Sequence, residues 1–234
     1  MNVRRDVPVA FDPGAKSYDA LVGANPGYNE HLRLSAERMA LPDGGRGLRL
    51  LDAGCGTGLS TAALLSVAPH AEIVAVDGSA GMLEQARAKE WPSTVRFVHS
   101  YVEQLADVGI EGPFDGILAA YLIRNLDDPD ATLAEFRGLL KPGAPLAIHE
   151  YSVRDSPRAK ITWNAVSTAI IIPFGKLRTG DASLYRYLRD SVNRFDGATA
   201  FRERLQRNGF VNVRSETMPG WQSGVVHTFL ADAP

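Results

Sequence analysis

The stretch "LLDAGCGTGLSTAALL", residues 50–65, places Gly54, Gly56 and Gly58 between an apolar run that reads as a strand and one that reads as a helix. A strand that passes into a helix this quickly needs residues free to adopt positive φ. The same alternation recurs down the chain. The strand patterns "LRLLDA", "EIVAVD", "VRFVHS", "FDGILAAY" and "APLAIHEYSV" are separated by the helical patterns "STAALLSV", "AGMLEQARAKE" and "DATLAEFRGLL". In the last of these, Asp128 is the predicted N-cap, Pro129 lies in the first turn and Gly143 comes after the end. Strands joined by helical crossovers must be parallel, so the expected fold is α/β, a doubly wound, mostly parallel seven-stranded sheet whose last strand is antiparallel. In such sheets ligands bind beyond the carboxyl ends of the strands, where the strand order reverses beside the first strand.

The chain reads as one domain. Residues 1–47 form an N-terminal helical cap, 48–155 the core, 156–196 an inserted helical cover and 197–234 a helix followed by a strand hairpin. In the cover, Pro173 and Gly175 are expected to divide the helix in two, and the final strand, "GVVHTFLA", is expected to close the sheet edge. The 25 basic and 27 acidic residues show no cationic run, which argues against a nucleic-acid partner. Cys55 is the only cysteine, and the five histidines share no metal-ligand spacing, so neither a disulfide nor a metal is expected. The longest apolar run, "TAIIIPF", is far too short to span a bilayer, and no signal-peptide pattern opens the chain. A soluble, cytoplasmic protein is expected; peripheral contact with a membrane and a homodimer stay open.

The residues around the glycine loop indicate the ligand it faces. A dinucleotide loop reads G-x-G-x-x-G, with the third glycine letting the helix pack close under a pyrophosphate. Here Leu59 stands in that place. Asp52 just before the loop would repel a phosphate but suits an amino or sulfonium charge. Asp77, about 20 residues on at the end of the next strand, suits a pair of ribose hydroxyls. A nucleoside with positive charge and no phosphate fits this pattern, which is S-adenosyl-L-methionine.

On the acid followed by G-x-G-x-G and the acid closing the second strand, the sequence resembles the class I methyltransferases, with their Rossmann-like sheet. More specifically, "FDPGAKSYD", "AAYLIRNLDDPDATLAEFRGLLKPG", "HEYS", "IIPFGKLRTGDASLYRYLRDSV" and "GVV" resemble the ubiquinone/menaquinone biosynthesis C-methyltransferase family across nearly the whole chain. The resemblance implies methylation of a ring carbon of a lipophilic hydroquinone, with S-adenosyl-L-homocysteine as the cofactor product. It implies a cofactor site made of Asp52, Gly54, Gly56, Gly58 and Asp77 with Tyr18, Thr57, Thr61, Gly78 and Ser79, completed by Met82, Tyr101, Val102 and Ala120. Arg124, Asn125 and Glu150 become the catalytic candidates. Tyr121, His149, Trp163, Tyr185, Tyr187 and Ser191 become the acceptor-side candidates.

Methylating a phenolic ring carbon requires an apolar slot, loss of a proton and stabilisation of an oxyanion. Arginine is a poor base, so Arg124 is expected to stabilise a phenolate while the proton leaves through water. The competing assignment for Arg124 is a loop brace paired with Asp127 or Asp128. Four features depart from the family: Leu59 after the loop, Tyr101-Val102 at the adenine position, Ala120 in place of a serine, and the extra bulk of "PGWQSGVVHTF". They leave open another small aromatic acceptor and O-methylation.

Three other classes compete with this reading. An amino-methyltransferase of nucleic acid would carry Asn/Asp-Pro-Pro-aromatic where this chain has Ala119-Ala120-Tyr121-Leu122. A nucleotide-dependent oxidoreductase is opposed by Leu59. A non-enzymatic module that merely kept the cofactor pocket would be free to lose the Arg124-Asn125 pair.

Overall fold

In the computed structural model, which describes residues 15–23 and 25–234, five strands run parallel: β1 (Arg49–Ala53), β2 (Glu72–Asp77), β3 (Val95–His99), β4 (Gly116–Ala120) and β5 (Pro145–Tyr151). β6 (Val211–Thr217) and β7 (Val226–Asp232) complete one sheet of order β3-β2-β1-β4-β5-β7-β6, with β7 antiparallel to both its neighbours. The order reverses between β1 and β4, as the alternating pattern predicts. Successive residues of β1 serve opposite faces. Leu50 joins Leu32, Leu64 and Ile73 on one side, while Leu51 joins Phe136, Phe201 and Phe229 on the other.

The first side is covered by α1 (Ala15–Gly23), α2 (Tyr28–Glu37) and α3 (Leu59–Val67), and α4 (Ala80–Arg87) comes after β2. α5 (Pro129–Leu139) starts as its sequence predicts: the Asp128 carboxylate accepts the Ala131 amide at 3.0 Å, with Pro129 in the first turn. Of the expected N-terminal cap, residues 1–14 lie outside the described residues.

Two details differ from the sequence reading. First, the cover does not break at Pro173. Helix α6 (Pro157–Val166) runs through a π-helical turn, Ser167–Ile171, into α7 (Ile172–Thr179), and the break falls at Gly180 with φ 77°, before α8 (Ser183–Arg194). Pro173 therefore sits inside a continuous helix, and the widened π turn immediately before it accommodates its ring and its missing N–H. Gly175 serves close approach: a Cβ there would lie 2.3 Å from the Tyr185 ring. Second, β7 does not form the edge. Its run "VHTFLAD" is buried between β5 and β6, and the more polar β6, "VNVRSET", takes the solvent-facing border after α9 (Ala198–Arg207). Charged side chains such as Arg214 and Glu216 suit an edge strand.

Candidate functional site

Beyond the carboxyl ends of β1 and β4 lies a cavity of about 650 Å³. The glycine loop forms one wall. Gly54, Gly56 and Gly58 all have positive φ, 75°, 55° and 88°, which explains glycine at each. They differ in what surrounds them: a Cβ on Gly58 would lie 2.7 Å from the Trp91 ring, whereas a Cβ on Gly56 would meet nothing within 4 Å. Gly56 therefore keeps open space beside the backbone.

Two acids hold the loop. The Asp77 carboxylate accepts the Gly56 amide at 2.7 Å and the Ser79 amide at 2.8 Å, which fixes its orientation at the cavity wall. Asp52 is fully buried beneath the loop, where its Oδ2 accepts from the hydroxyls of Ser60 (2.9 Å) and Thr61 (2.6 Å). Its Oδ1 has no hydrogen-bond partner among the described residues. Burial lifts the Asp52 carboxyl to about 7, against the pull of Thr61 and Ser60.

The opposite wall comes from the N-terminal helices, through Tyr18, Tyr28 and Leu32. The Tyr18 and Tyr28 hydroxyls lie 3.5 Å apart. Asp19 accepts the Thr57 hydroxyl and pairs with Lys89, whose ammonium also reaches the Thr57 carbonyl at 2.7 Å, so α1 is clasped onto the glycine loop. Tyr28, Leu32 and Lys89 carry no motif and were not legible as site residues, and Asp19, though it closes "FDPGAKSYD", was not singled out.

At the end of β4 the chain turns sharply at Tyr121, a non-glycine residue with φ 56°. Its carbonyl accepts from Arg124 Nη1 at 2.7 Å and Asn125 Nδ2 at 3.0 Å. Arg124 Nη1 also donates to Glu150 Oε1 at 2.8 Å, an ion pair whose side chains are only 6% and 0% exposed. The bracing partner of Arg124 is thus Glu150, not Asp127 or Asp128. Burial alone would lower the guanidinium's pKa, but the Glu150 charge outweighs it and holds Arg124 above its ordinary value. Arg124 stays charged. It also sits 5.6 Å from the ring centres of both Tyr121 and Tyr151.

Comparison with known proteins gives the family of the chain. The profile of the ubiE/COQ5 methyltransferase family matches residues 4–231. The chain belongs to the ubiE/COQ5 methyltransferase family. It is similar to the ubiquinone/menaquinone biosynthesis C-methyltransferase UbiE of Syntrophotalea carbinolica, 33% identical over 92% of this chain and 90% of the relative. It is also similar to the demethylmenaquinone methyltransferase of Clavibacter sepedonicus, 30% identical over 91% of this chain and 85% of the relative. Among solved structures, phosphoethanolamine N-methyltransferase 2 of Haemonchus contortus with S-adenosyl-L-methionine matches all of this chain and 60% of its own, with TM-score 0.69 at 17% identity. A putative methyltransferase of Haloferax volcanii, solved with the Trm112 activator, matches all of this chain and 98% of its own, with TM-score 0.67 at 17% identity. At that identity the likeness shows the fold alone.

The methyltransferase's residues fit S-adenosyl-L-methionine. Gly56 leaves room against the loop backbone, Asp77 presents a fixed carboxylate at the end of β2, and the buried Asp52 Oδ1 is an acceptor left without a partner beneath the loop, among the described residues. Of the expected cofactor residues, Tyr18, Gly54, Gly56, Thr57, Asp77 and Gly78 line the cavity, as do Ser79, Met82, Tyr101, Val102 and Ala120. Asp52, Gly58 and Thr61 stand behind that wall and shape it.

The acceptor-side residues of the methyltransferase are more scattered. Tyr121, Arg124 and Asn125 line the cavity; Glu150 and His149, both fully buried, lie behind them. Trp163 is core: its ring packs 4.7 Å from that of Tyr151 and its indole N–H donates to the Arg189 carbonyl. Tyr185 is buried beneath α7. Tyr187 and Ser191 line a second cavity of about 250 Å³, and Tyr187 meets the first through its hydroxyl, 3.2 Å from Asn125 Oδ1. The cover thus touches the site at its rim.

Proposed function

We propose that this methyltransferase methylates a ring carbon of a lipophilic hydroquinone of the demethylmenaquinol type, with Arg124 stabilising the phenolate. The names of the curated relatives support the acceptor class. The observation that carries the chemistry is a permanently charged, buried arginine on the cavity wall, neutralised from behind by Glu150. S-adenosyl-L-methionine, when bound, supplies an electrophilic methyl group on a sulfonium. Arg124 lowers the energy of the negative oxygen that makes the neighbouring ring carbon nucleophilic. The carbon so activated would take up the methyl group that the cofactor supplies, leaving S-adenosyl-L-homocysteine as a neutral thioether, and the displaced ring proton would pass to water. Glu150 keeps the guanidinium in place and does not face the cavity, which makes it a positioning residue. Asn125, bonded to the Tyr121 carbonyl and to Tyr187, holds the turn against the cover.

The cover presents Ile161, Ile170 and Leu177 at 70%, 60% and 82% exposure. We propose that these apolar side chains meet the cytoplasmic surface of a membrane, from which a polyprenylated acceptor would come. The test is transfer of labelled methyl from S-adenosyl-L-methionine to a demethylmenaquinol held in anionic vesicles, with the product's ring position read by mass spectrometry and NMR. C-methylation supports the proposal. Cofactor binding with no transfer to any hydroquinone, or transfer to oxygen only, refutes it.

A further inference from the structure

We infer that Tyr121 is a specificity-determining donor that grips a ring oxygen of the aromatic acceptor, with its direction of donation fixed by a buried chain from Arg38 through Thr228, Ser35 and His149. The nature of that acceptor rests on the function proposed above; the hydrogen-bond chain does not. Arg38 Nη1 donates to Thr228 Oγ1 at 2.7 Å, Thr228 Oγ1 and Ser35 Oγ are 2.7 Å apart, Ser35 Oγ and His149 Nδ1 2.8 Å, and His149 Nε2 and the Tyr121 hydroxyl 2.9 Å. Ser35, His149 and Thr228 are all buried.

Counting donors gives the direction. A guanidinium has no acceptor, and Arg38 is itself held by Glu216 at 3.1 Å and by the carbonyls of Glu216 and Thr217. Thr228 has two partners, Arg38 and Ser35, so its own hydrogen goes to Ser35. Ser35 has two partners, Thr228 and His149, so its hydrogen goes to His149 Nδ1. A neutral imidazole then carries its single proton on Nε2 and donates it to the Tyr121 oxygen. Burial holds His149 neutral, pushed down to about 3, with neighbouring His31, Arg38 and His227 adding to the effect. Every donor along the chain therefore points towards the cavity.

This polarity has two consequences for Tyr121. Its oxygen already accepts, so its own hydrogen goes to the adjacent Tyr151 hydroxyl and would turn to an oxygen entering the cavity when an acceptor is bound. A hydroxyl that accepts from a donor chain becomes a stronger donor in turn. The same polarity argues against an outward proton relay, which would need donors pointing from the cavity to Arg38. Backbone geometry adds an independent sign of function: a non-glycine φ of 56° is held by the Tyr121 N–H to the His149 carbonyl at 2.7 Å and by Arg124 and Asn125 on its own carbonyl. Strain maintained by that many bonds aims one ring, which stacks 5.7 Å from Tyr28 on the cavity wall.

The experiment uses 2,3-dimethyl-1,4-naphthoquinone, an aromatic probe whose oxygens can only accept and whose ring positions are filled so that no transfer occurs. Bound to the full chain with S-adenosyl-L-homocysteine, its carbonyl stretch should fall relative to the probe in hydrocarbon. Tyr121→Phe should abolish that shift and weaken probe binding about 3- to 10-fold, the worth of one hydrogen bond, with cofactor affinity close to wild type and a lower melting temperature, since the buried His149 Nε2–H loses its acceptor. His149→Leu should reduce the shift, and His149→Gln, whose amide N–H can stand in for Nε2–H, should restore most of it. An unshifted carbonyl in the wild type, failure of the wild type to bind the probe, or an equal shift in Tyr121→Phe overturns the inference. Failure of hydroquinone methylation with the Tyr121-dependent shift intact would instead count against the proposed reaction alone.

Discussion

The two halves of the cavity are built from different materials. On the β1–β2 side the wall is shaped by backbone: three glycines at positive φ and loop amides satisfied by Asp77. On the β4–β5 side it is side chain: a buried Arg124–Glu150 pair and a chain of hydroxyls and imidazole converging on Tyr121. A backbone wall recognises what all substrates of a methyltransferase share. A side-chain wall can change with the acceptor, and its energy is concentrated in a few desolvated groups.

From that contrast, the largest loss of stability should come from the side-chain half. Glu150→Ala leaves Arg124 buried without its counter-charge and should cost about 3–5 kcal/mol in urea unfolding; a loss below about 1 kcal/mol would show the pair to be better solvated than its burial implies. The backbone half should respond to pH instead. Asp52 has an ordinary pKa of 3.8 and is raised by burial to about 7, so the folded state holds its proton more tightly. Its contribution is complete below about pH 4 and is lost as pH rises through 7, a change of at most about 4 kcal/mol. Asp52→Asn should flatten stability against pH across that window, and an unchanged slope would assign it to other groups.

Turnover separates the halves next. Replacing both members of the ion pair, Arg124→Met with Glu150→Leu, removes the charge without leaving an unpaired ion; the Tyr151 amide loses its carboxylate acceptor, so stability should fall modestly while folding and cofactor affinity survive. Saturated turnover should fall by about two to three orders of magnitude, the scale for losing one oxyanion donor. A rate within a few-fold of wild type would reduce Arg124 to a brace for the Tyr121 turn. The smallest effect belongs to Asp77→Ala, which should weaken S-adenosyl-L-homocysteine binding by about 1.5–3 kcal/mol in calorimetry while leaving probe binding on the acceptor side nearly unchanged.

The same division governs what could be read from the sequence. The backbone half was legible because positive φ demands glycine and because a strand–loop–helix junction is local: Gly54, Gly56, Gly58 and Asp77 all lie within 24 residues. The side-chain half joins residues far apart in the chain. Nothing near Arg124 in sequence announces Glu150, 26 residues away, and the nearer Asp127 and Asp128 were the natural but mistaken partners. Ser35 and Thr228 lie 193 residues apart, and only the sheet brings them together. Trp163 and Tyr185 were misplaced for a related reason: an aromatic in an amphipathic segment looks the same whether it faces a ligand or a core. Pro173 looked like a break because helix interiors ordinarily reject it, and the π turn that accommodates it has no sequence signature.

The lone cysteine matters in an enzyme that handles quinones. Oxidised quinones add readily to thiolates, and Cys55 lies on the wall of the very cavity proposed to receive them. Yet it is only 3% exposed, and burial, reinforced by the negative charges of Asp52 and Asp77, pushes its thiol well above the ordinary value. The sulfur is kept protonated and therefore a weak nucleophile. The acids that suit the loop to a cationic cofactor thus also guard the protein against arylation by the oxidised form of its acceptor.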